Sequence, residues 1–270
     1  MKRASLWTGV VLVGIVLVAG LVSLVWTPFD PNRVFPGAAL QGPQGAHILG
    51  FDQLGRDLFS RVLAGSQICL IVGVISVSIA ALIGVPWGIA AGMLKGWPSE
   101  LLMRVADILY AFPALLLAIL FAAARGSSTW SAMTAIGIAT IPAFARVARA
   151  ATLSVMSSDY ILAARASGTP YLMSAVRHVL PNIAPVLGVQ ASVSFGMAIL
   201  AEAALSYLGL GSPPLVVTWG RMLREAQTYM FNDPALALWP GLAIAGAVLG
   251  FNLLGDGLRD LLDPRLREAV

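Results

Sequence analysis

The sequence predicts an all-α, polytopic membrane protein with six transmembrane helices, and three observations predict it. Of the 270 residues, 58% are hydrophobic and 11% charged, where soluble domains run roughly 45–50% apolar and about 25% charged. Six apolar stretches reach the roughly 20 residues that a helix needs to cross a hydrocarbon layer of about 30 Å. Each stretch is a continuous apolar run, without the two-residue alternation of a barrel strand, and helices are then the way to satisfy backbone polar groups in lipid. These observations exclude a soluble enzyme and a disordered chain.

The first stretch, Leu6 to Trp26, follows Lys2-Arg3. It exceeds the roughly 7–15 residues of a signal-peptide core, so it reads as an anchor with a cytoplasmic N-terminus. The segment from Asp30 to Arg61 then lies outside, where Arg56 and Asp57 are expected to form a local ion pair. The second stretch, Ile68 to Met93, carries Gly84, Pro86, Gly88 and Gly92 near its end. Small residues there suit close helix packing, or hinges in a chain that changes shape. The third, Leu101 to Ala124, and the fourth, Trp130 to Ala151, are interrupted by Pro113 and Pro142. Arg104 and Asp107, three apart, are expected to pair on one helical face.

The fifth stretch, Ile183 to Leu205, contains Glu202, with Ser206 just beyond it. Two readings stand for this pair: they line a pathway or gate, or they end the helix at the outer headgroups. From Trp219 to Phe231, the positions Trp219, Met222, Leu223, Ala226 and Met230 recur at helical spacing, with Arg221 and Arg224 elsewhere on the circumference. Such a helix meets an external partner protein or lies on the lipid interface. The sixth stretch runs from Ala235 to Leu254, with Asp256 at its end.

Charge sidedness agrees with this threading. With the N-terminus inside, eleven of the 17 basic residues fall on the inner side and six on the outer, the direction of the positive-inside rule. The net charge of +4 is scattered, so nucleic acid is not an expected partner. One cysteine, Cys69, excludes an intramolecular disulfide. No Gly-x-x-x-x-Gly-Lys-Ser/Thr and no His-Glu-x-x-His occurs, and His47 and His178 fall on opposite sides of the membrane. No catalytic residue, metal ligand or cofactor of its own is expected in this chain.

The inner loop of residues 152–181 is the most informative segment. Asp159 can cap a short helix, Gly168 can stop it in a left-handed conformation, and Thr169-Pro170 can restart a second helix that Pro181 closes. The result is helix, tight turn, helix on the basic side. Tyr160 and Arg165 offer an aromatic and a cationic contact, and Ala163 and Ala164 let another surface approach the backbone closely.

Ala163-Ala164, Gly168 and Leu180-Pro181, at their spacing, resemble the cytoplasmic signature of ABC-importer permeases, which has Glu where this chain has Leu162. The wider match, Asp159-Tyr160-x-x-Ala163-Ala164-Arg165-x-x-Gly168 with Arg177 to Asn182, is similar to the dipeptide, oligopeptide and nickel branch, C-type subunit. His47 to Arg61, Leu205 to Gly211 with Trp219-Gly220, and Asn252 to Asp260 with Leu262-Asp263-Pro264 extend the resemblance over nearly the whole chain. It implies a type I ABC-importer permease fold, with residues 1–66 as an N-terminal helix and external segment and residues 67–270 as a five-helix core.

It also implies a function: an ATP-driven importer of di- and oligopeptides, with nickel or a metal-chelator complex as the alternative cargo. The implied partners are a second homologous permease, two ATPase subunits that bind ATP and Mg, an extracytoplasmic binding protein and membrane lipid. The implied location is the bacterial inner membrane, with both termini cytoplasmic. Asp159, Tyr160, Ala163, Ala164, Arg165, Gly168, Leu180 and Pro181 are the expected ATPase-coupling residues, and Arg56, Asp57, Trp219 and Arg221 are expected to face the external partner. An ion-coupled secondary transporter would need intramembrane polar groups and repeat symmetry, which the sequence does not offer.

Overall fold

Hydrophobic length and local end signals set the helices. The computed structural model describes residues 2–126 and 128–262, without the side chains of residues 2–4, 162, 165 and 166. The α-helices are α1 (Lys2–Val25), α2 (Leu58–Met93), α3 (Trp97–Ala111), α4 (Ala114–Arg125), α5 (Thr129–Met156), α6 (Asp159–Ala166), α7 (Tyr171–Ser174), α8 (Leu180–Leu208), α9 (Trp219–Ala226) and α10 (Ala235–Leu262). Among the described residues there is no named strand, and isolated bridges such as Phe51–Asp57 shape the segment between α1 and α2.

Five helical stretches are long and apolar enough to cross a membrane, and the bent pair α3–α4 makes a sixth when taken as one span. That bend is 78°. Its cause is Pro113, which drives Phe112 to an extended ψ of 122°. Pro142, expected to interrupt the fourth span, stays inside an unbroken α5.

Two boundaries differ from expectation for visible reasons. α2 starts ten residues before Ile68, because Asp57 accepts a hydrogen bond from the Ser60 amide (2.8 Å) and caps the helix there. The expected division after residue 66 therefore falls inside α2. Pro181 does not close a helix either. A π-helical turn, Ala175–Val179, joins α7 to α8, and the Leu180 amide bonds back to the Ala175 carbonyl. This widened turn admits the proline ring in the first turn of α8, and Tyr171–Leu208 runs on as one helix of 38 residues.

Close backbone approach organises the bundle. α2 and α5 run parallel: Gly84 meets Ile141, Gly88 meets Ala145 and Gly92 meets Arg149, a constant offset of 57 positions. A Cβ on Gly84 would stand 2.6 Å from the Ile141 carbonyl oxygen, and one on Gly88 would collide with the Ala145 carbonyl. Ser76 Oγ donates to the Met133 carbonyl at 3.0 Å in the same register. Of the two readings offered for these glycines, the contacts support packing, the small-residue seam by which membrane helices associate.

α1 lies antiparallel on α10, Gly9 beside Leu254 and Gly257 beside Leu6. α10 meets α8 through stacked Phe195 and Phe251 rings (4.0 Å) and a hydrogen bond from Ser192 Oγ to the Phe251 carbonyl (2.6 Å).

Gly88→Leu forces that seam apart and is expected to destabilise the detergent-solubilised protein by about 1–3 kcal/mol, the usual cost of overpacking. Gly14, around which space is open, is the control: Gly14→Leu leaves the thermal unfolding midpoint where it was.

Candidate functional site

One end of the bundle carries the helix–turn–helix. α6 is held by Ile161, fully buried, while Ala163 and Asp159 are exposed and Tyr160 is half exposed. Gly168 has φ +81°, and the Thr169 amide bonds to the Ala164 carbonyl (3.1 Å), a left-handed helix stop. Pro170 caps α7, with the Ser174 amide bonded to its carbonyl (2.9 Å). The Tyr160 ring meets His178 edge-on at 6.4 Å, tying α6 to the start of the long helix. A cavity of about 250 Å³ lies beneath the turn, lined by Met93, Met156, Gly168, Thr169, Tyr171 and Ser174.

The structure therefore brings Asp159, Tyr160, Ala163, Ala164 and Gly168 together on one element. Leu180 and Pro181, both exposed, stand at the start of α8. The Arg165 side chain lies outside the described residues. Asp159 sits in the first turn of α6 rather than at a cap.

The opposite end is a charged cluster that sequence reasoning missed. Asp52 accepts from the amides of Leu54 and Arg56 (both 2.9 Å) and from Arg56 Nε (2.6 Å), and Arg61 Nε lies 3.4 Å away. Glu225, on α9, takes Arg56 Nη2 (2.7 Å) and Arg61 Nη2 (3.0 Å). Asp57 bonds His47 Nδ1 at 2.8 Å, and the His47 ring stacks on Phe29 at 4.1 Å.

The expected Arg56–Asp57 pair is thus corrected: each residue has its own partners. Arg56, Asp57 and Trp219 are buried within the chain and cannot present their side chains to another protein. Trp219 donates to the Val62 carbonyl (2.8 Å), while Arg221 is partly exposed and donates to the Pro213 and Ser212 carbonyls. The spacing of Asp52, Arg56 and Arg61 was the available signal; their acid on α9 is too distant in sequence to be read.

Glu202 and Ser206 are also inside the chain. Ser206 Oγ donates to the Glu202 carboxylate at 2.6 Å, and the Thr218 hydroxyl that caps α9 lies close to the same carboxylate. The pair lies in the last two turns of α8, buried against the start of α9.

A second correction concerns Asp107. Its partner is Arg146 on α5 (2.7 Å), not Arg104, because α3 crosses α5 with Asp107 turned toward it.

The fold is thus a bundle of membrane-length apolar helices with an exposed helix–turn–helix at one end and a charge-braced segment at the other. The chain belongs to the family of binding-protein-dependent transport system inner membrane components, whose profile matches residues 84–268. It is a permease subunit of an ABC importer. It is 45% identical over 242 residues to the glutathione transport system permease protein GsiD of Pectobacterium atrosepticum, covering 89% of this chain and 80% of that one. To GsiD of Escherichia coli O6:K15:H31 it is 42% identical over 261 residues, 96% and 86% of the two chains. Among solved structures, a chain of the inward-facing MetNI methionine ABC transporter superposes with a TM-score of 0.64 at 16% identity, covering 75% of this chain and 97% of that one, which shows the type I permease fold.

Removing one partner of the external cluster strands buried charge. Asp52→Ala is expected to cost about 3–5 kcal/mol and to open residues 27–57 to protease in the solubilised protein. Asp30→Ala, at an exposed position, is expected to change neither readout.

Proposed function

We propose that this chain, with a second homologous permease, forms the pathway of an importer for glutathione and related short peptides. Two ATPase subunits holding ATP and Mg drive it from the cytoplasm, and an extracytoplasmic binding protein delivers the cargo at the cap formed by residues 27–57 and α9. Both termini and the α6 turn face the cytoplasm of a bacterial inner membrane. The observation that carries the reading is the exposed α6 with its glycine turn, leading without a break into a 38-residue helix. The relatives named for glutathione support the cargo.

In this reading the ATPases close on α6, where Ala163 leaves the backbone accessible and Tyr160 supplies an aromatic contact. Displacement passes through the Gly168 turn and the Tyr160–His178 contact into the helix that contains α8. Because α8 packs on α2, α5 and α10, a rigid movement of its inner end tilts the walls of the pathway.

The turn needs a residue that tolerates φ +81°, and no neighbour lies within 4 Å of a Cβ built there. Gly168→Val therefore acts through backbone strain of about 1–2 kcal/mol, not collision. Reconstituted with its partners, Gly168→Val is expected to lose most ATP-driven uptake while remaining inserted. Gly168→Asn, which accepts the left-handed conformation, retains it. Equal uptake by both variants removes the coupling role. A reporter fused after Thr169 is expected to read cytoplasmic and one near Asp52 external.

A further inference from the structure

We propose that two cavities meeting at the Gly168 turn form one binding site for a membrane phospholipid, the apolar cavity for an acyl chain and the polar one for its ester oxygens. The proposal deepens the coupling reading above, because the site is walled by the joint through which α6 is to move α8.

The first cavity has a volume of about 440 Å³. On one side α2 and its cap line it from Val85 to Leu94, a length of about 13 Å at 1.5 Å per residue. On the other stand Tyr171, Leu172, Ala175, Val176 and Leu180, from α7, the π turn and the start of α8. Apart from the Tyr171 hydroxyl, every side chain in this lining is apolar. Leu172 is 78% exposed and Val176 59%, so the chain does not cover this surface itself. Between helices of membrane length, an apolar groove of this kind is wetted by hydrocarbon.

The second cavity, of about 250 Å³, adjoins the first, since Met93 and Tyr171 line both. Its lining is more polar, with Thr169 and Ser174 beside the Gly168 turn. Ser174 is 2% exposed, and its Oγ has no hydrogen-bond partner. Buried hydroxyls normally have a partner, so this one calls for an acceptor. Among the described residues no charged side chain lines either cavity. The acceptor that fits is therefore a neutral oxygen attached to an apolar chain, which is the chemistry of an acyl ester. A partner helix laid along the groove covers the apolar wall but leaves Ser174 unserved.

The phosphate then lies outside both cavities. Exposed Lys95 and Arg177 directly follow the groove residues Leu94 and Val176, with Cα atoms about 3.8 Å from theirs. Glu100 is the acid nearest to Lys95 in sequence, so this flank keeps a net positive charge, as suits an anionic headgroup. Trp97, 74% exposed, adds a side chain that favours the headgroup layer. Seated here, the lipid separates Met93, at the end of α2, from Tyr171, at the start of the long helix. It acts as a wedge that sets how far the joint closes when α6 is pushed.

The test reads binding apart from transport. Cys69 is the one cysteine in the sequence and is buried, so Ala90→Cys places one accessible thiol in the groove. A benzophenone attached there, with the assembled importer in proteoliposomes, is expected to label phospholipid. Labelling of the second permease or of an ATPase instead overturns the proposal. In native mass spectra of the purified importer titrated with phosphatidylglycerol, Ala90→Trp is expected to weaken retention of one lipid per chain at least about tenfold. Ser174→Ala is expected to weaken it about fivefold, the share of one neutral hydrogen bond. Leu82→Trp, on an exposed part of α2 outside the groove, is the control and leaves retention unchanged. Equal retention in all variants, or equal loss in Leu82→Trp and Ala90→Trp, overturns the site. Loss of the lipid with unchanged uptake per ATP hydrolysed overturns its part in coupling. If Gly168→Val and Gly168→Asn transport equally, the coupling reading fails while the lipid titration stands by itself.

Discussion

The glycine seam between α2 and α5 is the constraint on which the rest of the fold depends. With Gly84, Gly88 and Gly92 against the α5 backbone, the two helices have one parallel register, and any larger side chain at these places removes it. That register sets Met93, the end of α2, level with Ala150, so α5 runs on about 9 Å further to Met156. The cavity beneath the Gly168 turn is lined by both methionines. A seam in the middle of the bundle thus helps decide where the helix–turn–helix rests. Because helix association in lipid lacks a hydrophobic driving force, close packing of small residues has to supply the contact energy.

The two ends of the bundle are held by different physics. At the end that carries α9, buried charges are paired and their remaining acceptors are filled by backbone amides, as at Asp52. Such a network resists deformation, because moving one member strands another. At the end that carries α6, Arg149 Nε, Thr152 Oγ1 and Ser174 Oγ are buried without hydrogen-bond partners, each at a cost of about 1–3 kcal/mol. The end that carries α6 is therefore the less fully satisfied of the two, as suits a segment that has more than one arrangement to occupy.

Much of this was legible in the sequence because it is written in local patterns. Apolar length located the spans, and the left-handed stop at Gly168 followed from glycine placed after an alanine-rich turn. The break at Phe112–Pro113 was legible as a proline interruption, although its 78° angle was not. What escaped were contacts between residues far apart in the chain. Glu225 pairs with Arg56 and Arg61 across more than 160 positions, and Asp107 chose Arg146 over the nearer Arg104. Helical spacing says which residues can share a face, but only the crossing of α3 over α5 says which face meets a partner. Pro181 misled for a related reason: proline ends a regular helix, whereas the π turn before it changes the hydrogen-bond register and lets the helix continue.

That π turn links the two ends mechanically. Asn182 Nδ2 donates to the His178 carbonyl at 2.6 Å, taking up an acceptor within the disturbed stretch, so the joint between α7 and α8 is fully helical and still wider than its neighbours. His178 in the same turn touches Tyr160 of α6. In the proposed coupling, a push on α6 would arrive where the hydrogen-bond spacing of the long helix has already shifted. Further along that helix, Ser206 and Glu202 fasten α9, and Glu225 of α9 closes the outer charge cluster. From the α6 turn to the α9 end, the chain is thus linked by a ring contact, one long helix and buried polar contacts, a path that runs beside the glycine seam rather than through it. If the proposed coupling holds, α2 and α5 respond to α8 as one unit, because the glycine seam keeps them in a single register.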